Sequence, residues 1–301
     1  MKVNKIVFTL SIVISLSILS PCFGIQNKIL ILNSDSSLKR YQEIQNNYIK
    51  HIKNVTVIDL QKTDMRKINE EINTEKPALI FCIGTKALLQ VLDKKDCPVV
   101  FASVLNWERF KISNNVYGVA NELLAAMQLF NFRLLFPNIK KIGIVYTKEI
   151  NNEWVKKART AAADMQVKII ARALKNDDKL EDIIDELLNK TDALWLIPDP
   201  TVVNKKSINL YIGKANEKRK PIFAYSDLFV KLGAVLAITP DVPTIANQAA
   251  SLTIGILNNE EFARQVQSPA GSKIVLHMKK VKQYQQDLNY RALGSVNEII
   301  E

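Results

Sequence analysis

The sequence predicts an α/β protein made of two Rossmann-like lobes, each with a parallel sheet wrapped by helices. Short apolar runs alternate along the chain with amphipathic stretches of helical length, a pattern typical of parallel sheets covered by helices. The alternation comes in two successive sets of similar size, which favours two lobes over one large sheet. The elements that follow are too few for a third domain, so they must complete the first two lobes. The chain therefore crosses between the lobes more than once.

The first lobe is expected to comprise residues 25–119 and 235–263. Apolar runs predict its strands, and the stretches between them predict helices, because their apolar residues recur at helical spacing. The strands are predicted over 28–33, 55–60, 78–83, 99–104 and 115–119, and the helices over 36–52, 65–73 and 85–92.

The second lobe is expected to comprise residues 120–234 and 264–301. Its first helix must end before Pro137, since proline cannot continue a helix. The strands are predicted over 141–146, 167–173, 193–197 and 221–225, and the helices over 122–136, 153–165, 180–189 and 205–218. A strand over 233–238 and a helix over 244–257 complete the two lobes.

The composition is that of an ordinary globular chain. Of 301 residues, 48% are hydrophobic and 24% are charged, and this excludes collagen-like, low-complexity and wholly disordered proteins. The net charge of +11 fits three explanations, namely nucleic acid, an anionic membrane surface or solubility alone. With 2 His and 3 Cys, the chain lacks material for most zinc sites and His-based catalytic schemes.

Residues 1–24 are predicted to be a secretory signal peptide. Lys2 and Lys5 form a basic start, and the apolar run over 6–19 is short for a membrane-spanning helix. We expect cleavage after Gly24, with an uncleaved N-terminal anchor as the alternative. The protein is therefore expected to be exported, to the periplasm or the cell surface.

A second signal overlaps this segment. Residues 19–22 resemble a bacterial lipobox, in which Cys22 would carry a lipid anchor. Pro21 stands where a small residue normally precedes that cysteine, which argues against lipidation.

The other two cysteines are expected to be free and buried or semi-buried thiols. Cys82 lies within one apolar run and Cys97 precedes the next. If these runs are neighbouring parallel strands, the two sulfurs lie about 13 Å apart at the rise of a strand. That distance is too long for a disulfide.

In open α/β sheets a ligand lies beyond the carboxyl ends of the strands, and here both lobes direct those ends toward one cleft. Ser34 and Asp35 follow the first strand, where hydroxyl and backbone N–H groups near a helix start suit an anion. Capping of the following helix is the alternative. Gly84 permits close approach of a ligand, and Thr85 offers a hydroxyl, although capping explains this pair too.

Two further candidates lie at or just beyond the end of the fourth strand. Ser103 ends that strand and is expected to contact the ligand. Trp107 lies a little farther on and could form a wall of the cleft or stack on an aromatic ligand, with packing of its own loop as the alternative.

In the second lobe, Tyr146 ends a strand and could offer both its ring and its hydroxyl. Asp199 is the sharpest candidate, because Pro198 and Pro200 hold it extended directly after a very apolar strand. A carboxylate in this position would pair with a ligand ammonium, and a turn-stabilising role is the alternative.

Ser226 and Asp227 follow the next strand of this lobe. Asp227 is a candidate ligand contact, with capping of the helix from Leu228 as the alternative. Carboxylates on one side of a cleft, with hydroxyls and helix N-termini on the other, fit a zwitterionic ligand.

Several stretches carry a family resemblance. They are residues 84–85, 98–103, 117–119, 135–146, 192–203 and 220–226, of which 135–146 is the most specific. Together they resemble the substrate-binding proteins of bacterial ABC transporters, in the family that includes tryptophan/tyrosine-binding lipoproteins. The resemblance covers roughly residues 28–260. It implies the type I periplasmic-binding fold, with two lobes, three crossovers and hinged closure on a small solute.

The crossovers are expected near 119–120, 233–234 and 263–264. Asn121 stands where the family has an acidic residue after Gly-Val and is a further candidate contact. The resemblance implies an extracytoplasmic solute-binding protein of an ABC-type uptake system. It would close on a small polar ligand, such as an amino acid or a related zwitterion, and deliver it to a membrane permease. A monomer without a cofactor is expected.

Two other functions are weighed against this one. The same closure could signal to a membrane sensor kinase or chemoreceptor, and a secreted α/β enzyme is the least favoured reading. Neither His51 nor His277 is expected at the end of a strand, and the sequence has no Gly-x-Ser-x-Gly elbow, Walker loop or clustered metal ligands. Paired carboxylates for glycoside hydrolysis stay open. We expect no catalytic residue and no metal, and lysine-rich runs are expected to be solvated faces, with no nucleic acid as partner.

Overall fold

Two sheets organise the residues that the computed structural model describes, 27–175 and 178–301. The predicted signal peptide and Cys22 lie outside these residues. Each sheet is covered by helices on both faces and forms one α/β lobe. In the part of the chain that is described, no helix is both long and apolar enough to span a membrane.

The first lobe is built on six parallel strands. They are β1 (Ile29–Asn33), β2 (Val55–Asp59), β3 (Leu79–Ile83), β4 (Val99–Val104), β5 (Val116–Ala120) and β11 (Val266–Gln267), in the order β11-β5-β4-β3-β1-β2. Its helices are α1 (Lys39–Ile49), α2 (Met65–Glu75), α3 (Thr85–Val91) and α9 (Val242–Leu257). Helices α1 and α9 cover one face of the sheet, and α2 and α3 cover the other.

The second lobe is built on seven strands. They are β6 (Lys141–Tyr146), β7 (Lys168–Ala173), β8 (Ala193–Trp195), β9 (Ile222–Ala224), β10 (Leu236–Pro240), β12 (Ser272–His277) and β13 (Glu298–Ile300), in the order β13-β12-β10-β9-β8-β6-β7. Only the β10–β12 pairing is antiparallel. The helices are α4 (Ala125–Leu135), α5 (Lys148–Asp164), α6 (Leu180–Lys190), α7 (Ile208–Lys218), α8 (Asp227–Lys231) and α10 (Met278–Gln283).

The continuous apolar runs are explained by burial on both faces of each sheet. Every residue of β1, β3 and β4 is buried. On one face, the ring of Tyr48 in α1 stacks on Phe81 of β3 with 3.9 Å between ring centroids, and its hydroxyl lies 2.8 Å from Thr253 Oγ1 in α9. These contacts fix α1 and α9 against the first sheet. Cys82 and Cys97 are both buried and free.

The last strands and helices of the chain do not all lie in the lobes that were predicted from the sequence. Strand β10 lies in the second sheet, between β9 and β12, although residues 235–263 were expected in the first lobe. Helix α9 does pack on the first sheet, and β11 joins that sheet's edge. All five residues of β10 are buried. A central position in either sheet would bury them, so the hydrophobic pattern of β10 does not show which sheet the strand joins.

The positions at which the chain crosses between the sheets follow from this arrangement. The first crossing comes after Ala120, as expected. The second comes after Pro240 rather than at 233–234, and the third lies between Gln267 and Ser272 rather than at 263–264. The two lobes are therefore joined by three segments of chain.

Candidate functional site

The carboxyl ends of strands from both sheets meet at one cleft. Asn106, in the loop after β4, donates a hydrogen bond of 3.2 Å from its side-chain amide to the carbonyl oxygen of Pro198, which follows β8. Farther out, Glu108 and Lys157 form an exposed ion pair of 3.3 Å between the lobes. The strand ends at which the sequence placed its candidate contacts thus face each other across the cleft.

Ser34 and Gly84 have local structural roles at the edge of the first lobe. Ser34 is 3% exposed, and its hydroxyl accepts a 3.0 Å hydrogen bond from the backbone N–H of Ala87, so it caps α3 from a neighbouring strand. Gly84 has a φ of 86°, and a Cβ there would lie 2.7 Å from Ser34 Oγ and 2.8 Å from the ring of Tyr41. Packing at this point requires glycine. Thr85 is the half-buried first residue of α3.

Asp35 does not cap the first helix, because α1 begins at Lys39 rather than at Ser36. Its carboxylate accepts hydrogen bonds from the backbone N–H of Ser37 at 3.0 Å and from the Ser37 hydroxyl at 2.6 Å. Ser36 instead donates its hydroxyl to Asp59. Local side-chain bonds of this kind compete with helix formation, which accounts for the later start of α1.

Arg40 of α1 brings Ser103 and Asn121 together, and it was not among the residues predicted from the sequence. The Arg40 guanidinium donates from Nε to Ser103 Oγ at 3.3 Å and from Nη2 to Asn121 Oδ1 at 2.7 Å. Burial lowers the pKa of Arg40, and the strongest opposing effect comes from Asp227 of the second lobe. The available signal was the lysine–arginine pair that follows the first strand and its loop.

Trp107 lies beside a groove of about 660 Å³ between the lobes. Its ring centroid is 6.4 Å from that of Phe101, and Trp154 of α5 lines the same groove. Glu122 also lines it, and its carboxylate accepts a hydrogen bond from the backbone N–H of Asn106. Burial raises the pKa of Glu122 to about 7. Asn106, Glu122 and Trp154 were not among the residues predicted from the sequence to line the site.

Asp199 is 1% exposed, and its carboxylate is surrounded by donors. It accepts hydrogen bonds from Thr147 N at 2.6 Å, Thr147 Oγ1 at 3.1 Å, Asn151 Nδ2 at 3.0 Å and Thr201 N at 3.1 Å. These bonds tie the loop after β8 to the loop after β6, which favours the turn-stabilising alternative. A ligand-anchoring role for Asp199 stays a prediction. Tyr146, at the end of β6, is 8% exposed and packs in the core of the second lobe.

Asp227 differs from Asp199 in having no such partners. Ser226 caps α8 by accepting a 3.4 Å hydrogen bond from Leu228 N, so Asp227 is the first helical residue rather than the cap. Asp227 is half-buried, and in the described part of the chain no hydrogen bond joins its carboxylate. Its charge acts on Arg40 across the cleft and on Lys273 in its own lobe.

Solved structures share this two-lobe fold. A ligand-free, open substrate binding protein with adhesive properties from Clostridium difficile has a TM-score of 0.72 and 19% identity, covering 91% of this chain and 99% of that chain. The ABC domain from Streptococcus pneumonia in complex with L-Trp has a TM-score of 0.65 and 20% identity, with the same coverage. A conserved domain protein from Vibrio cholerae has a TM-score of 0.63 and 19% identity, again covering 91% and 99% of the two chains.

Sequence comparison gives the family. No curated protein matches the chain. The family model described as ABC transporter substrate binding protein matches residues 29–297, which is nearly all of the part that forms the two lobes. The chain therefore belongs to the family of ABC transporter substrate binding proteins.

Proposed function

We propose that the protein is the extracytoplasmic receptor of an ABC-type uptake system, and that it closes its two lobes on a small polar solute and delivers it to a membrane permease. One observation carries this proposal. Polar and charged groups at strand ends of both sheets face one cleft, and three chain segments join the sheets. Such an arrangement is suited to hinged closure around a ligand.

The proposed ligand is small and polar, such as an amino acid or a related zwitterion. The cleft supports this class because the first lobe carries a cation, Arg40, and the second lobe carries a carboxylate, Asp227, whose charge raises the pKa of Arg40 against the effect of burial. We propose ligand contacts for Thr85, Ser103, Trp107, Asn121, Tyr146 and Asp227. Ser34, Asp35, Gly84, Asp199 and Ser226 stay predicted contacts, and each also has a hydrogen bond or a packing role within the protein.

The remaining parts of the proposal concern the setting of the protein. Export rests on residues 1–24, whose basic and apolar segments have the pattern of a signal peptide. We propose a monomer that binds its solute without turning it over, and a permease rather than a sensor kinase as its membrane partner.

Closure is the first testable consequence. Native mass spectrometry of the purified protein identifies a retained ligand, and small-angle scattering then compares the emptied protein with the protein saturated by that ligand. We expect a smaller radius of gyration in the saturated protein, because the lobes approach each other when the cleft is filled. An unchanged radius at saturation would argue against closure, and chemical conversion of the ligand would favour an enzyme.

A further inference from the structure

Arg40 of α1 donates hydrogen bonds to Ser103, in β4, and to Asn121, which follows β5, at the cleft edge of the first lobe. We propose that Arg40 binds a carboxylate of the ligand, so that the solute taken up by this protein carries an anionic group on the side facing the first lobe. The inference rests on the proposed receptor function and names the chemistry of its ligand.

The hydrogen bonds of Arg40 leave part of its guanidinium free. A guanidinium has five N–H donors in a planar fork and no acceptor. Two of its nitrogens bond to Ser103 and Asn121, and both of these partners are neutral. Among residues 27–175 and 178–301, no hydrogen bond joins Nη1, and no carboxylate lies within ion-pair distance of Arg40. The side chain therefore keeps donors for a further acceptor.

The surroundings of Arg40 make an anion favourable there. The residue is half-buried, and removing a charge from water costs free energy unless a partner replaces the water. Burial lowers the pKa of Arg40 despite the attraction of Asp227, Glu43 and Asp241. Its charge is thus incompletely matched inside the protein, and a bound anion would match it.

Lys273 of the second lobe, whose charge also interacts with Asp227, is already paired. Lys273 lies 2.6 Å from Glu298, and this ion pair raises the pKa of Lys273. The difference between the two cations is that Lys273 meets a carboxylate of its own lobe, whereas Arg40 meets none. Of these two cations, Arg40 is the one whose charge no carboxylate within ion-pair distance matches.

The geometry of Arg40 selects a planar anion. A guanidinium fork donates two parallel hydrogen bonds to a carboxylate, a match that lysine does not provide. Ser103 and Asn121 hold the fork in place before a ligand arrives, so little side-chain freedom is lost on binding. Across the cleft, the unbonded carboxylate of Asp227 would face a cationic group of the same ligand.

The test uses probes that differ only in the proposed group. Calorimetric titration compares the twenty protein L-amino acids with their C-terminal amides and with neutral monosaccharides, using the full two-lobe protein. We expect an amino acid to bind and its amide to bind at least about 30-fold more weakly, since a charge-assisted bond is lost. Arg40→Gln should weaken binding of that amino acid by a similar factor, and Arg40→Lys should weaken it less.

A neighbouring lysine supplies the matched control. Lys39 lies on the same helix, its side chain is 89% exposed, and its ion pair within the described residues is with Glu43 at 3.9 Å, so Lys39→Gln removes a positive charge from α1 without removing a hydrogen bond to Ser103 or Asn121. We expect its affinity to stay within about 3-fold of the unmodified protein, since an exposed charge contributes little. Thermal melts of all three variants show whether each one is folded.

The possible outcomes separate this inference from the receptor function. If Arg40→Gln melts earlier but binds as tightly as before, Arg40 only ties the ends of β4 and β5 together and the inference is overturned. If an amide or a neutral sugar binds best and contracts the protein in scattering, the receptor function stands and the carboxylate is wrong. If no probe binds or contracts the protein, both proposals fail.

Discussion

The two lobes use charged side chains at the cleft edge in opposite ways. In the second lobe, Asp199 is 1% exposed, and four hydrogen bonds from three residues occupy its carboxylate. In the first lobe, Arg40 is half-buried and meets two neutral oxygens. Both side chains lie beyond strand ends, so position alone does not separate them. The difference teaches that a charged residue at a strand end is free to bind a ligand only when its own neighbours leave it unsatisfied.

The largest effect on stability is expected from Asp199→Asn. The amide keeps the shape of the side chain but replaces one acceptor oxygen by a donor that faces Thr147 N–H or Thr201 N–H. We expect the free energy of unfolding to fall by about 2–4 kcal/mol, because buried donors lose a charged acceptor. Urea denaturation of the variant and the unmodified protein measures this loss.

Asp227→Asn is the matched control within the same lobe. Because no hydrogen bond within the described residues joins the Asp227 carboxylate, the variant loses its favourable position at the start of α8 and its attraction to Arg40 and Lys273, together worth about 0.3–1 kcal/mol. The comparison of the two lobes fails if Asp199→Asn leaves stability intact and abolishes ligand binding. Asp199 would then be the ammonium anchor that its sequence position suggests.

The next largest loss of stability is expected from Gly84→Ala, at the cleft edge of the first lobe. The φ of 86° disfavours any side chain, and the new Cβ would press on Ser34 Oγ and the Tyr41 ring, beside Arg40. We expect the free energy of unfolding to fall by about 2 kcal/mol, measured by urea denaturation.

Gly213→Ala in α7 is its control, since a Cβ there meets nothing within 4 Å. That variant should be more stable than the unmodified protein by about 0.5–1 kcal/mol, as alanine favours a helix. Equal effects of the two substitutions would show that the first lobe's edge is not sterically constrained.

The fold was predictable where the hydrophobic pattern of the strands is enough to determine it. Strands β1, β3 and β4 appear in the sequence as apolar runs because every residue in them is buried, and their alternation with helices predicts a parallel sheet. The sheet that β10 joins was not predictable. Burial of β10 is satisfied equally in either sheet, and its apolar residues alone do not specify the pairing with β9.

The site was predictable in position but not in role. Strand ends located Ser103, Asn121 and Asp199, yet their roles depend on partners far along the chain. Arg40 reaches Ser103 across 63 positions and Asn121 across 81, and Asp199 meets Thr147 across 52. No periodicity in a sequence reports such pairs, since they arise only when the sheets are assembled. Arg40 reads locally as a polar helix position.

Glu122 links the cleft edges of the two lobes through Asn106, and its titration should change stability less than the destabilising substitutions above. It follows the first crossing and accepts from Asn106 N, while the Asn106 amide reaches Pro198 in the second lobe. Burial raises the pKa of Glu122 to about 7 from an ordinary value of 4.5. Between these values the folded protein keeps a proton that the unfolded chain releases, so rising pH favours unfolding.

We therefore expect Glu122 to lower the free energy of unfolding by about 1–2 kcal/mol between pH 5.5 and pH 7.5. Urea denaturation across this range should show the decline in the unmodified protein and in Glu217→Gln, at an exposed position on α7 of the second lobe. Glu122→Gln should remove this decline while its amide oxygen still accepts from Asn106. A decline of the same size in Glu122→Gln would assign the titration to another group. Proton binding at Glu122 would then have no effect on the contact that joins the two lobes through Asn106 and Pro198.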